Sequence, residues 1–161
     1  MQSATIQAGA AEWDILAAAT KLIERFAMAV EKTFIMLKPD AVRAHKMGEI
    51  IARIERSGLV IERMEMTQLD DDLVKEHYAH LADKPFFPGI VSFMTSGPVV
   101  KMVVSGNNAI KKMRTLMGAT DPLEALPGTI RGDYALDVNA NIIHGSDSPE
   151  NAEIEIKRFF G

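Results

Sequence analysis

From Thr33 to Phe160 the sequence alternates short apolar runs with amphipathic helical stripes, and that succession leaves few folds open. Thr33-Phe34-Ile35-Met36-Leu37 is rich in strand formers and is stopped by Pro39. Met47, Ile50, Ile51 and Ile54 recur at helical spacing before Gly58, a C-terminal stop. Val60 to Thr67 alternates apolar and charged residues, as a half-buried strand does. Asp70 to Leu81 carries a helical stripe of Leu73, Val74, Tyr78 and Leu81, and Pro85-Phe86-Phe87 opens another short helix that runs to about Thr95. Pro98 to Val104 is nearly all apolar, which suits a central strand. Asn107 or Asn108 is placed to cap a helix bearing Ile110, Met113 and Leu116, closed by Gly118. Residues 119–137 hold two prolines and two glycines with no sustained period, and read as one long loop. Asn139 to His144 gives the last strand, and Ser148-Pro149 opens a final helix whose face is Ala152, Ile156, Phe159 and Phe160. The order is β-α-β-α-α-β-α-β-α. Two β-α-β halves in one small domain imply an α/β chain of the α+β sandwich type: a ferredoxin-like fold, with helices over one face of a four-stranded, mainly antiparallel sheet.

The chain has 161 residues, enough for one domain with a substantial core. A net charge of -4 argues against a protein whose main business is binding nucleic acid, while leaving a local cluster of cations free to hold a small anion. Cysteine is absent, which excludes disulfides, thiolate zinc sites and a thiol nucleophile, and fits a reducing, cytoplasmic setting. No apolar run approaches the roughly 20 residues that span a bilayer, so no membrane association is expected. Residues 1–30 stand apart as an N-terminal extension. Ile15, Leu16, Ala19, Leu22, Ile23 and Phe26 fall at helical spacing, and Glu12, Asp14 and Glu24 outnumber Lys21 and Arg25. Neither a secretory signal nor a transit peptide has that charge pattern. The segment is a docking helix or an extension without a role, since Met28 also offers a start just before the first strand.

The groups that carry chemistry lie at the ends of these elements. His144 ends an apolar run just before a helix start, where an imidazole can be aimed, held in one tautomer and used as a nucleophile. Lys38 ends the first strand, Arg114 lies in the helix before the long loop, Thr120 follows at the start of that loop, and Arg131 sits among glycines in Gly128-Thr129-Ile130-Arg131-Gly132-Asp133. Three cations around one imidazole suit a phosphate chain, which arginine binds bidentately and lysine as a compact charge. No glycine-rich phosphate loop occurs, so a nucleotide would be held by side chains. His77 and His80 are expected on a helix surface, and the histidines are not spaced with acids as metal ligands usually are.

These residues fall within an ordered set of motifs: Thr33-Phe-Ile-Met-Leu-Lys38-Pro-Asp40, Glu76-His-Tyr78, Lys84-Pro-Phe86-Phe87, Ser96-Gly-Pro98, Gly118-Ala-Thr120-Asp-Pro122, Pro127-Gly-Thr-Ile-Arg131-Gly-Asp133 and Asn141-Ile-Ile-His144-Gly-Ser-Asp-Ser148. The set closely resembles nucleoside diphosphate kinase over about residues 31–160, which makes 31–161 the expected kinase domain. The resemblance implies a ping-pong enzyme in which His144 takes the γ-phosphoryl of a nucleoside triphosphate and passes it to a diphosphate. It matches Glu155 to the acid on the far imidazole nitrogen, and Tyr78 and Ser146 to polar neighbours of the phosphoryl site. Lys38, Arg114, Thr120 and Arg131 match phosphate ligands, and Asn141 the ligand of the ribose hydroxyl. Phe86 matches the aromatic on which the base stacks, with Val138 opposite; stacking ignores base edges, so base selectivity should be poor.

The implied cofactor is Mg2+, carried mainly by the phosphates, with Asp147 reaching it through water. The implied assembly is a homo-oligomer, a tetramer or a hexamer. Ala41, Ala44-His45 and Val104 depart from the usual family pattern and bear on a turn and on subunit contacts; none removes a group from the site. A nucleotide-binding regulatory module without turnover, or a phosphohistidine donor to partner proteins, would share the fold. Loss of His144, Lys38, Arg114 or Arg131 would have favoured the regulatory reading, and all four are present.

Overall fold

The computed structural model describes residues 14–21 and 30–161, which fall into two units, Met1–Val30 and Glu31–Gly161. In the first, residues 14–21 form a helix (α1) that leaves Ile15 and Leu16 more than half exposed. The rest of the expected N-terminal stripe, Leu22 to Phe26, and the alternative start at Met28 lie outside the described residues.

From Val30 onward the chain runs β1 (Val30–Leu37), α2 (Pro39–Arg43), α3 (Met47–Arg56), β2 (Val60–Thr67), α4 (Asp71–His77), a 3-10 turn (Ala79–Leu81), α5 (Phe87–Met94), β3 (Val99–Asn107), α6 (Ala109–Met117), α7 (Ile130–Tyr134), β4 (Ile143–Gly145) and α8 (Pro149–Phe160). The four strands form one sheet in the order β2-β3-β1-β4, with β1 antiparallel to β4 and β2 antiparallel to β3. This is the ferredoxin-like arrangement expected from the sequence.

The helices cover both faces of the sheet rather than one. β1 shows why: Thr33–Leu37 is buried without alternation, the pattern of a strand covered on both sides. Ile35 and Leu37 pack with Ile50 and Ile54 of α3 and Met113 and Met117 of α6. Phe34 and Met36 pack on the other side with Val74 of α4, Val91 and Met94 of α5 and Phe159 of α8. At about 25 cal/mol per Å2 of apolar surface, each fully buried side chain of this kind contributes about 1.5–3 kcal/mol before entropy is counted.

Other differences from the sequence reading are local. Pro39 does not merely end β1: it is the first residue of α2, where its missing N–H costs nothing. The helix expected from Asp70 to Leu81 ends at His77, with Asp70 as its N-cap accepting from the Leu73 amide at 2.8 Å. The expected half-buried strand at Val60 is an edge strand that leaves Val60, Met64 and Met66 at least half exposed. The long loop contains α7, whose N-cap Thr129 accepts from the Gly132 amide at 3.1 Å. Arg53 of α3 fastens that loop, pairing with Asp133 at 2.7 Å and donating to the Gly128 carbonyl at 3.2 Å. The last strand starts at Ile143 instead of Asn139, because Ile142 adopts φ +73 and breaks the extended run. Among the described residues no helix is long and apolar enough to cross a membrane.

Candidate active site

β4 places His144 opposite Met36 on β1. Its neighbour Gly145 has no room for a side chain: a Cβ there would stand 2.9 Å from Ile35 Cδ1 and 2.7 Å from Met117 Sδ. Close packing of α6 on β4 therefore sets the strand that carries the imidazole. α8 is capped by Ser148, whose hydroxyl accepts from the Asn151 amide at 3.1 Å, and the helix runs back beside β4. That return brings Glu155 to His144, with Nε2 to Oε1 at 3.0 Å.

The histidine is backed by a closed set of hydrogen bonds. The second Glu155 oxygen accepts from Ser146 Oγ at 2.5 Å, and the Ser146 amide donates to the Phe34 carbonyl at 3.1 Å. Burial alone would raise the Glu155 pKa, but the hydrogen bonds from His144 and Ser146 outweigh it and hold the carboxyl below its ordinary value. An ionised Glu155 accepting at Nε2 makes that nitrogen the protonated one. The Nδ1 lone pair is then free. Ser146 thus stands behind the imidazole, on Glu155, and is buried.

His77 is the residue that the sequence reading misplaced. It is 7% exposed, not on the surface, with its ring 4.8 Å from that of His144 and 5.0 Å from Phe159. The apolar stripe carried the signal, since position 77 lies three and four residues after Val74 and Leu73 and so on their face. Burial, then the neighbouring His144, lowers the His77 pKa to about 3, so the ring is neutral. Its Nδ1 lies 3.3 Å from Arg158 Nη1 and 4.0 Å from Glu155 Oε1. His77, His144 and Glu155 offer three ligand-type atoms within 4.8 Å of one another. The Arg158 guanidinium against His77 Nδ1 opposes a cation there, and the Glu155 oxygen is engaged by His144. His80 is exposed, as expected.

A cleft of about 1390 Å3 opens onto this group. Lys38, Tyr78, Phe86, Arg114, Thr120, Arg131, Val138, Asn141, His144, Asp147 and Glu155 all line it, so the structure gathers the sequence candidates on one surface, with Ser146 just behind. Lys38 Nζ donates to Asn141 Oδ1 at 2.6 Å, and Asn141 Nδ2 donates to the Thr120 carbonyl at 3.2 Å. Arg131 donates to the carbonyls of Gly118 at 3.0 Å and Ile143 at 2.8 Å, leaving its buried Nε unpartnered. Glycine is needed beside it, because a Cβ at Gly132 would collide with the Leu126 carbonyl.

Among the described residues none of the ion pairs involves Lys38, Arg114 or Arg131. Burial, then Arg131, pushes Lys38 down to about 8; burial, then Arg114, pushes Arg131 down to about 10. In both, burial and a neighbouring cation outweigh what opposes them, Asp40 beside Lys38 and Tyr78 beside Arg131, which leaves positive charge that an anion would stabilise. Tyr78 is pushed up by burial and by Glu155, so its phenol stays protonated. Phe86 and Val138, each about half exposed, give the cleft an apolar stretch.

The family model for nucleoside diphosphate kinase matches residues 31–161. The chain belongs to the nucleoside diphosphate kinase family. A nucleoside diphosphate kinase of Streptococcus thermophilus is 57% identical over 136 residues, covering 82% of this chain and 99% of that protein. One of Thermobifida fusca is 57% identical over 131 residues, covering 81% of this chain and 97% of the relative. Among solved structures, a halophilic nucleoside diphosphate kinase from Halobacterium salinarum in complex with CDP is similar at a TM-score of 0.79 and 49% identity, over 82% of this chain and 88% of that one. The Aquifex aeolicus nucleoside diphosphate kinase has the same TM-score at 40% identity, over 83% of this chain and 96% of its own.

Proposed function

We propose that His144 is the phosphoryl carrier of a nucleoside diphosphate kinase that moves the γ-phosphoryl group of a nucleoside triphosphate to a nucleoside diphosphate in two half-reactions. The observation that carries this reading is the Glu155 carboxylate on His144 Nε2, beside three cations that form no ion pair among the described residues. In the first half-reaction the Nδ1 lone pair attacks the γ-phosphorus, a P–N bond forms, the bond to the β-phosphate oxygen breaks and the diphosphate leaves. The proton on Nε2 stays with the ring, and Glu155 offsets the positive charge that the phosphorylated imidazole gains. In the second, an oxygen of the acceptor's terminal phosphate attacks the same phosphorus and the P–N bond breaks. The two steps mirror each other, so one cleft serves both.

Transfer of this kind needs positioning and charge more than covalent help. Lys38, Arg114 and Arg131 supply the charge, and Thr120 and Tyr78 supply hydroxyls at the wall. Asn141, held by Lys38, is placed for the ribose, and Phe86 with Val138 for the base. Mg2+ fits a site whose metal arrives on its ligand: the described acids build no oxygen cage, and Asp147, held ionised by the Asn151 side chain, is the carboxylate at the cleft wall that would meet it through water. The cation would neutralise phosphate charge there. We assign the kinase to residues 31–161, with residues 1–30 as an extension, and the reaction to the cytoplasm, where a chain without cysteine has no disulfide to lose. The exposed Val60, Met64 and Met66 on the β2 edge, with Leu123, Leu126 and Leu136 at least 73% exposed around the long loop, support a homo-oligomer, a tetramer or a hexamer.

The test incubates the protein with γ-labelled ATP and then adds unlabelled GDP. Acid-labile label on His144 that GDP removes is the expected result. Absence of that label, or label that GDP leaves in place, refutes the reading.

A further inference from the structure

Ile142 is the most strained residue of the described chain. Its φ of +73 lies in the left-handed region, where a β-branched side chain is a genuine outlier. The other non-glycine residues with positive φ are His45 and Asn108, the second of a type at home there. The Ile143 amide donates to the Asn141 carbonyl at 2.8 Å, so residues 141–143 form a γ-turn of the rare, strained kind. Such a conformation persists only where its surroundings hold it. Here both backbone groups of Ile142 are held by one short segment. Its N–H donates to Asp40 Oδ2 at 3.0 Å, and its carbonyl accepts from the Lys38 amide at 2.8 Å.

Every functional group on this side of the cleft hangs from that turn. Asn141 precedes it and accepts from Lys38 Nζ; the Ile143 carbonyl accepts from Arg131; His144 follows. We propose that Asp40 is a positioning residue, whose carboxylate pins the strained turn and through it aligns His144, Asn141 and Arg131 together. The proposal rests on the reading of His144 as phosphoryl carrier. Asp40 acts through the backbone and touches no substrate. Its other oxygen accepts from the Ala41 amide at 3.1 Å, which fixes the carboxylate itself.

A double-mutant cycle tests this. The rate of His144 phosphorylation by ATP in a single turnover is measured for the full chain and for Asp40→Ala, Asp40→Asn, Ile142→Gly and Asp40→Ala/Ile142→Gly. Asp40→Ala should slow phosphorylation about tenfold, a coupling within the range seen for residues in direct contact. Asp40→Asn should recover part of the rate, because its one amide oxygen still accepts from Ile142 while its NH2 faces the Ala41 N–H. Asparagine also removes the charge that Asp40 sets near Lys38, so its recovery separates geometry from electrostatics. In the Ile142→Gly background, where positive φ is free of strain, loss of Asp40 should cost less than about twofold. An equal cost in both backgrounds, or an Asn variant as slow as the Ala variant, overturns the proposal.

Hydrogen exchange at the Ile142 amide gives a readout that needs no turnover. It should speed up at least about tenfold in Asp40→Ala and stay slow in Asp40→Asn. Unchanged exchange in Asp40→Ala refutes the clamp even if the glycine variants fold poorly. A wild-type chain that takes no label would refute the carrier reading and leave the exchange result to judge Asp40.

Discussion

The two walls of the cleft are built on opposite principles. On the nucleophile side the groups behind the imidazole form an unbroken chain: His144 Nε2 on Glu155, Glu155 on Ser146, Ser146 on the β1 backbone. On the anion side Lys38 and Arg131 are buried and hydrogen-bond only to neutral oxygens, and the Asp40 carboxylate offsets the burial of Lys38 only in part. The first wall is finished in the free protein, while the second carries an unmet electrostatic demand that a polyphosphate supplies. Phosphoryl transfer through a histidine requires this asymmetry. A nucleophile must be aimed before substrate arrives, whereas cations already neutralised by acids would gain nothing from phosphate.

The largest expected effect of breaking this contrast comes from the anion side. Arg131→Ala should lower kcat by about 10²–10³-fold, the scale of losing one preorganised donor to a developing charge. Arg131→Lys, which keeps charge without the fork to Gly118 and Ile143, should fall between. Steady-state kinetics with ATP and GDP decides it, and an Arg131→Ala enzyme within threefold of the parent would remove this residue from the transition state. On the nucleophile side, Glu155→Gln should cost about tenfold in the rate of His144 phosphorylation, since the amide oxygen still accepts from Nε2 while the negative charge is lost.

The smallest effect lies in pH. Lys38 titrates near 8 in the free protein, so below that pH the ammonium is present for phosphate, and above it the amine is neutral. Since kcat/KM reports the free enzyme, it should fall by about fourfold at pH 8.5, with kcat less affected because bound phosphate restores the proton. Lys38→Arg should abolish that limb. A limb that survives the arginine belongs to another group.

The two walls also differed in how far the sequence revealed them. The anion side was legible, because glycines flanking Arg131 and a proline after Lys38 are local signals that need no tertiary knowledge. Ferredoxin-like topology was legible too, from the alternation of periods. The helices on both sheet faces were written in the unbroken apolar run Thr33–Leu37, which a one-faced reading overlooked. His77 was hidden only because a histidine on an apolar stripe was read by its polarity and not by its phase. The turn at Ile142 left no trace, since isoleucine is among the residues least suited to positive φ and its run reads as plain strand. Only the Asp40 carboxylate and the Lys38 amide, about a hundred residues away, make that conformation hold.

The central claim is that Glu155 reserves one ring nitrogen so that the other can carry phosphate. The position of the phosphoryl group on His144 tests it directly, by 31P NMR of the isolated phosphoenzyme in alkali, where phosphohistidine survives. The hydrogen bond from Nε2 to Glu155 predicts a single signal from phosphate on Nδ1. Phosphate on Nε2, or on any other residue, would contradict the account.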